Sequence, residues 1–203
     1  MDKTDSYRHV FHALIKYSIP LLGANLLQSG YSIADMAIVG YFTDNSGLAA
    51  VSNASSLVFI IAAASIGLSL GGTVIAANYK GAASIKGQRE TISTLFLLTL
   101  LASLLVTFLC LLCHRKAFLL MDIPEEAFEE ASAYMSIVAL GTVFIFGYNA
   151  ACAIMRGIGA TKRTFYFVAI AAGINIVLDI LLVGPAGLGV KGAAWAPVIA
   201  QGI

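Results

Sequence analysis

Charge is scarce in this chain. Of 203 residues, 12 are Lys or Arg and 11 are Asp or Glu, 11% in all, where soluble domains carry about 25%. The formal net charge of +1 leaves no basic surplus to neutralise a phosphate backbone, so no nucleic-acid partner is expected. Cysteine is rarer still. Cys110, Cys113 and Cys152 lie within or at the edge of apolar runs, which supplies neither a disulfide framework nor a four-ligand zinc site and reads as small apolar filling. There is no phosphate loop ending in Gly-Lys-Ser/Thr and no His-Glu-x-x-His pair, and His9, His12 and His114 lie away from the centres of the apolar runs. ATP-driven pumping and zinc proteolysis therefore lack support, and neither enzyme activity nor a cofactor is expected. Gly187, Gly189 and Gly192 match the spacing of a dinucleotide-binding turn, yet the run before them is too long for a strand and no acidic residue follows about 20 positions later.

Apolar residues, by contrast, make up 59% of the chain. A bilayer core of about 30 Å needs about 20 of them in a helix. Five runs reach that length, at residues 14–42, 48–79, 91–113, 131–155 and 165–184, and a sixth, 188–203, stops near 16 residues. The expected fold is all-α: a polytopic transmembrane bundle of six helices with the sixth truncated, spanning residues 14–203 behind an N-terminal tail of residues 1–13. The first run lacks the short apolar core and small-residue cleavage site of a signal peptide, so it is expected to stay as a helix. Lys3, Arg8, Lys16, Lys80, Lys86, Arg89, Arg156, Lys162 and Arg163 fall at one end of the spans. Arg115, Lys116 and Lys191 fall at the other, among Asp44, Asp122, Glu125, Glu126, Glu129 and Glu130. Because Lys and Arg resist translocation, the N-terminus is expected in the cytoplasm of a multi-pass cell-membrane protein. Gly67 and Gly71 form a small-xxx-small pair expected to bring helices together. Asn25, Asn53 and Asn149 are read as helix-packing residues. Pro20, early in the first run, is expected to bend it.

Two charged residues lie well inside apolar runs: Asp35 in the first and Asp179 in the fifth. A carboxylate there costs about 2.5–3.5 kcal/mol on insertion scales, so such a residue faces protein or water. At 1.5 Å per residue, Asp35 lies roughly 10 Å and Asp179 roughly 8 Å below the outer ends of their helices, so their depths match. Asn175 shares the face of Asp179, and Gln28 and Tyr31 share that of Asp35. No Lys or Arg lies at this depth in any run, which leaves proton or metal-cation binding as routes to neutrality. Tyr134 falls at the same level and could donate to either carboxylate. The alternative role for the aspartates is structural, tying helices together at less than about 1 kcal/mol per contact.

The stretches IPLLGANLLQSGYSIADMAIVGYF, GLSLGGTVIAANYKGA, MRGIGATKRTFYFV and INIVLDILLVGPAGLGVKGAAWAPVIAQ resemble, in order, segments of the multidrug and toxic compound extrusion (MATE) family of cation-coupled antiporters. The resemblance covers nearly the whole chain. It implies an exporter of two six-helix lobes, exchanging H⁺ or Na⁺ for small organic compounds by alternating access, of which this chain is the N-terminal lobe. It also implies that Asp35, Asn175 and Asp179 match ligating positions and Tyr134 a polar neighbour, with Pro20 and Pro197 as positions for helix kinks or gating. Pro197 stands where the family pattern has a threonine, which removes one side-chain oxygen and weighs against Na⁺ relative to H⁺. A fragment or a natural short product is expected, one that does not pump without the second lobe. The other readings are a non-transporting membrane protein or scaffold, and a relative of the lipid-linked oligosaccharide flippases, which would need cations lining its cavity. The charge distribution yields one prediction: a cysteine placed at Ala83 reacts with a membrane-impermeant maleimide only from the cytoplasmic side of intact cells.

Overall fold

The computed structural model describes residues 3–203. Among these there are six helices and no strand: α1 (Lys3–Phe42), α2 (Asn45–Gly81), α3 (Ile85–Leu120), α4 (Glu125–Gly157), α5 (Thr161–Val183) and α6 (Val190–Gly202). The helices overrun the apolar runs at most ends. Hydropathy marks only the part in lipid, whereas a helix continues until something stops it. Residues 3–13, expected as a tail, are the first turns of α1, since nothing between Lys3 and Ala13 breaks a helix; Met1 and Asp2 lie outside the described residues. Four of the six helices, α2 to α5, are long and apolar enough to cross a membrane. The expected fifth, α1, falls short because Asn25, Gln28, Ser29, Ser32 and Asp35 dilute its hydropathy, and α6 has 13 residues. This is a multi-pass membrane protein.

Local chemistry explains the turns. Asp44 caps α2, accepting from the Gly47 N–H and the Ser46 hydroxyl, both at 2.9 Å, and these bonds hold its carboxyl below the usual carboxylate range. Ser84 caps α3 through the Gly87 N–H at 3.2 Å. Three helices share one C-terminal device. The chain turns left-handed at Ala83, Asp122 and Gly159, and the next N–H reaches back to Tyr79, Phe118 and Met155 respectively. At α3 the apolar contact that accompanies this turn is present, with Ile123 and Phe118 both in the core.

α4 is the centre of the bundle, packed on α2, α3 and α6, while α1 lies chiefly along α5. Over its most apolar stretch α4 is 56% buried, against 17% for α3, whose leucines at 97, 98, 101, 104 and 105 are exposed on the outside of the bundle. Gly67 and Gly71, expected at a helix contact, have no neighbour where a side chain would sit. The packing face of α2 is instead Ile61, Ser65, Ser69, Gly72 and Ala76. Where α2 meets α4, a Cβ on Gly157 would stand 2.6 Å from the Thr73 carbonyl oxygen, and the Thr73 hydroxyl donates to the Ala153 carbonyl at 3.1 Å. Asn53 and Asn149 bond carbonyls of their own helices; interhelical bonds to backbone carbonyls come instead from Thr73 and from Thr107, which reaches the Ala139 carbonyl at 2.8 Å. Arg115 and Lys116, placed in a loop by hydropathy, belong to α3, and Arg115 pairs with Glu129 while lying 5.0 Å above the Phe128 ring.

Of the three left-handed positions, Ala83 bears a Cβ without the local hydrogen bonding an Asp offers. Left-handed φ costs an L residue about 1–2 kcal/mol, and glycine returns about 0.5–1 kcal/mol of that as chain entropy. Ala83→Gly should therefore raise the thermal unfolding midpoint of the detergent-purified chain, and Asp122→Gly should raise it less.

Candidate functional site

Asp35 is carried by α1 and Asp179 by α5, and the packing of these two helices turns the residues toward each other. Their carboxyl groups are near enough to interact directly. Asp179 is fully buried; Asp35 is partly open. Asp35 Oδ1 and both Asp179 oxygens are buried without a hydrogen-bond partner among the described residues, as are both amide atoms of Asn175, one turn before Asp179. Two carboxylates are both acceptors, so neither satisfies the other unless a proton or a cation stands between them.

Asp35 opens onto a cavity of about 420 Å³ walled by α1, α2, α4 and α6. Gln28, Tyr31, Ser55, Tyr134, Asn149 and Gln201 are among the polar residues on its walls, and no Lys or Arg is. Tyr134 is 4% exposed and sits near both carboxylates, as its position along α4 predicts. A second space of about 10 Å³, near the room one water needs, shares Gln28, Tyr31 and Gln201 with the first and reaches Asn175. The structure thus gathers Asp35, Asn175, Asp179 and Tyr134 into one region.

Pro197, inside α6, lines both spaces. It has no side-chain oxygen, and it has no N–H to give the Ala193 carbonyl, which loses its usual helical donor. One turn on, Gln201 places a buried, unpartnered Oε1 at the same wall. Sequence reasoning stopped at Pro197 and missed Gln201, although an i, i+4 step from a cavity-lining position was the signal. Pro20 lies elsewhere. It interrupts neither α1 nor its helical assignment and does not line the cavity. The glycines of the rejected nucleotide motif have local work: Gly187 and Gly189 take positive φ in the turn between α5 and α6, and a Cβ on Gly192 would stand 2.7 Å from the Leu182 backbone.

The family model for MatE matches residues 20–181. Among curated proteins, the chain is 27% identical over 195 residues to the probable multidrug resistance protein YpnP of Bacillus subtilis, covering 96% of this chain and 44% of that protein. It is 25% identical to the probable multidrug resistance protein NorM of Thermotoga maritima, over 93% of this chain and 41% of that one. Among solved structures, an outward-facing multidrug resistance MATE family transporter of the MOP superfamily superposes with a TM-score of 0.87 at 29% identity, covering 93% of this chain and 42% of its own. A MOP superfamily transporter from Pyrococcus furiosus gives 0.87 at 28%. The chain spans less than half the length of these relatives.

The cavity geometry generates a labelling prediction. In a background without Cys110, Cys113 and Cys152, a cysteine at Ser55, on the cavity wall, reacts with a water-soluble maleimide in the folded chain. One at Ser65, fully buried between α2 and α4, reacts only after unfolding.

Proposed function

This chain belongs to the MatE family of multidrug efflux transporters, and from that premise we propose that it forms the N-terminal lobe of a cation-coupled antiporter of the cell membrane, with its N-terminus in the cytoplasm. The coupling ion is held between Asp35 and Asp179. The observation that carries this reading is the pair itself: two carboxyls within reach of one another, three of their oxygens buried without partners, and no Lys or Arg on the adjoining cavity. One bound cation or proton satisfies both, and its release leaves two like charges in an apolar surround. That state is stabilised only by a change of arrangement or by water entry. A site whose charge changes in this way can couple loading to conformation, because a one-unit difference in proton affinity between two arrangements is worth about 1.4 kcal/mol.

Asn175 and Tyr134 are the neighbours suited to orient the ion, Asn175 with a carbonyl oxygen and Tyr134 with a hydroxyl that donates to a carboxylate or accepts from a protonated one. With Pro197 in place of a hydroxyl-bearing residue, H⁺ is the better-suited ion than Na⁺. The exported compound is a small organic molecule, amphipathic to match apolar walls with a few polar groups. A second six-helix lobe, supplied by residues beyond this chain or by another chain, would close the substrate path by alternating access. The absence of cations from the cavity wall favours this reading over one in which a pyrophosphate-linked sugar is carried.

The test uses a transporter that pairs this lobe with a second one, reconstituted in liposomes under an imposed cation gradient. Asp35→Asn and Asp179→Asn should each reduce gradient-driven dye efflux to background while leaving dye binding in place. Wild-type transport by both variants would end the proposal.

A further inference from the structure

At the other end of the α1–α5 pair, roughly 28 Å along α1 from Asp35, lies a second cavity of about 310 Å³ that plays no part in the reading above. Lys16 and Tyr17 of α1, Gly159 in the turn after α4, and Thr161, Lys162 and Arg163 of α5 line it. Three of these are cations and no acid is among them. Its floor is the start of a 23-residue helix. Ala160 provides no side-chain cap and the first helical bond runs from the Thr164 N–H to the Ala160 carbonyl at 3.1 Å, so the N–H groups of Thr161, Lys162 and Arg163 have no helical acceptor. Thr161 is 6% exposed, and its hydroxyl has no hydrogen-bond partner among the described residues. A buried residue whose hydroxyl makes no hydrogen bond among the described residues, three backbone donors without helical acceptors and three cations thus border one space. Donors of this kind, at the positive end of a helix dipole, match a tetrahedral oxyanion.

We infer that this cavity is a binding site for a phosphate group, held by the α5 N-terminus and the Thr161 hydroxyl and neutralised by Lys16, Lys162 and Arg163. The cavity lies where the apolar run of α1 begins, the level at which run length puts the membrane surface. Both a phospholipid headgroup and free inorganic phosphate reach that level. The inference is independent of the aspartate pair and stands or falls without it.

Native mass spectrometry of the detergent-purified chain decides it, with separate titrations of phosphatidylglycerol, phosphatidylcholine and sodium phosphate. Retention of phosphatidylglycerol over phosphatidylcholine identifies the headgroup as the source. Retention of inorganic phosphate without the lipid identifies the free anion. Either supports the site. The double variant Lys162→Ala/Arg163→Ala should weaken retention by about fivefold per cation removed, and Thr161→Val, which keeps the volume and loses the hydroxyl, should weaken it with charge unchanged. Lys80→Ala/Arg89→Ala removes the same charge from the exposed 82–84 end and should leave retention as in the parent. Equal losses in the two double variants would show diffuse attraction to a basic surface and overturn the site, as would retention of neither ligand. All these positions except Thr161 are exposed, so folding is not at stake in the charge variants.

Discussion

Two acidic side chains brought together between α1 and α5, at a depth with no Lys or Arg, impose the constraint from which the rest of this lobe follows. Like charges about 4 Å apart repel by about 4 kcal/mol at an effective dielectric of 20, and more where water is excluded. Among the described residues no counterion reaches the pair, and the amide of Asn175 is unpaired as well. A cluster whose only role was to tie helices would have its donors and acceptors matched, as Thr73 with Ala153 and Thr107 with Ala139 are. The unmatched cluster sits beside a cavity.

That contrast divides the bundle. α2, α3 and α4 form the closely packed part, sealed by small residues, by threonine hydroxyls that reach across to neighbouring carbonyls, and by the large cluster around Phe118, Met135 and Phe146. α1 and α5 stand to one side as a pair. The low hydropathy that keeps α1 off the set of membrane-crossing helices is the same property that equips it for the site. Gln28, Tyr31, Ser32 and Asp35 are poor company for acyl chains and line the cavity instead.

Much of this was legible in the sequence because bilayers make strong demands. Run length and the missing polar segments fixed the helical class, and an acidic residue inside an apolar run is conspicuous wherever it occurs. The shared depth of Asp35 and Asp179 could be computed from rise per residue alone. Other features were not legible for definite reasons. Helix ends beyond the lipid carry no hydropathy signal, so the apolar runs are shorter than α1 and α3. Glycine spacing on one helix does not say which face meets a neighbour: Gly67 and Gly71 have the spacing, whereas Gly72 and Gly157 make the close contacts. Gln201 was hidden by Pro197. Pro197 not only lacks a side-chain oxygen but also frees the Ala193 carbonyl one turn before it.

The two sites act on the same helix pair from opposite ends. Asp35 and Asp179 lie between α1 and α5 at one end; Lys16 and the α5 N-terminus flank one cavity at the other. Pro20 lies between them, and the carbonyl deprived of its helical donor there is that of Lys16 itself. An ion between the carboxyls shifts α1 only to the extent that it binds one arrangement of the pair better than another, and a phosphate at the far end obeys the same rule. If α1 moves as a rigid rod, the occupant of either end biases the other by linkage. If it hinges near Pro20, the two ends are decoupled and each occupant fixes only its own half. The stiffness of α1 at one residue, more than the affinity of either site, therefore decides whether the membrane-surface cavity has any bearing on cation exchange.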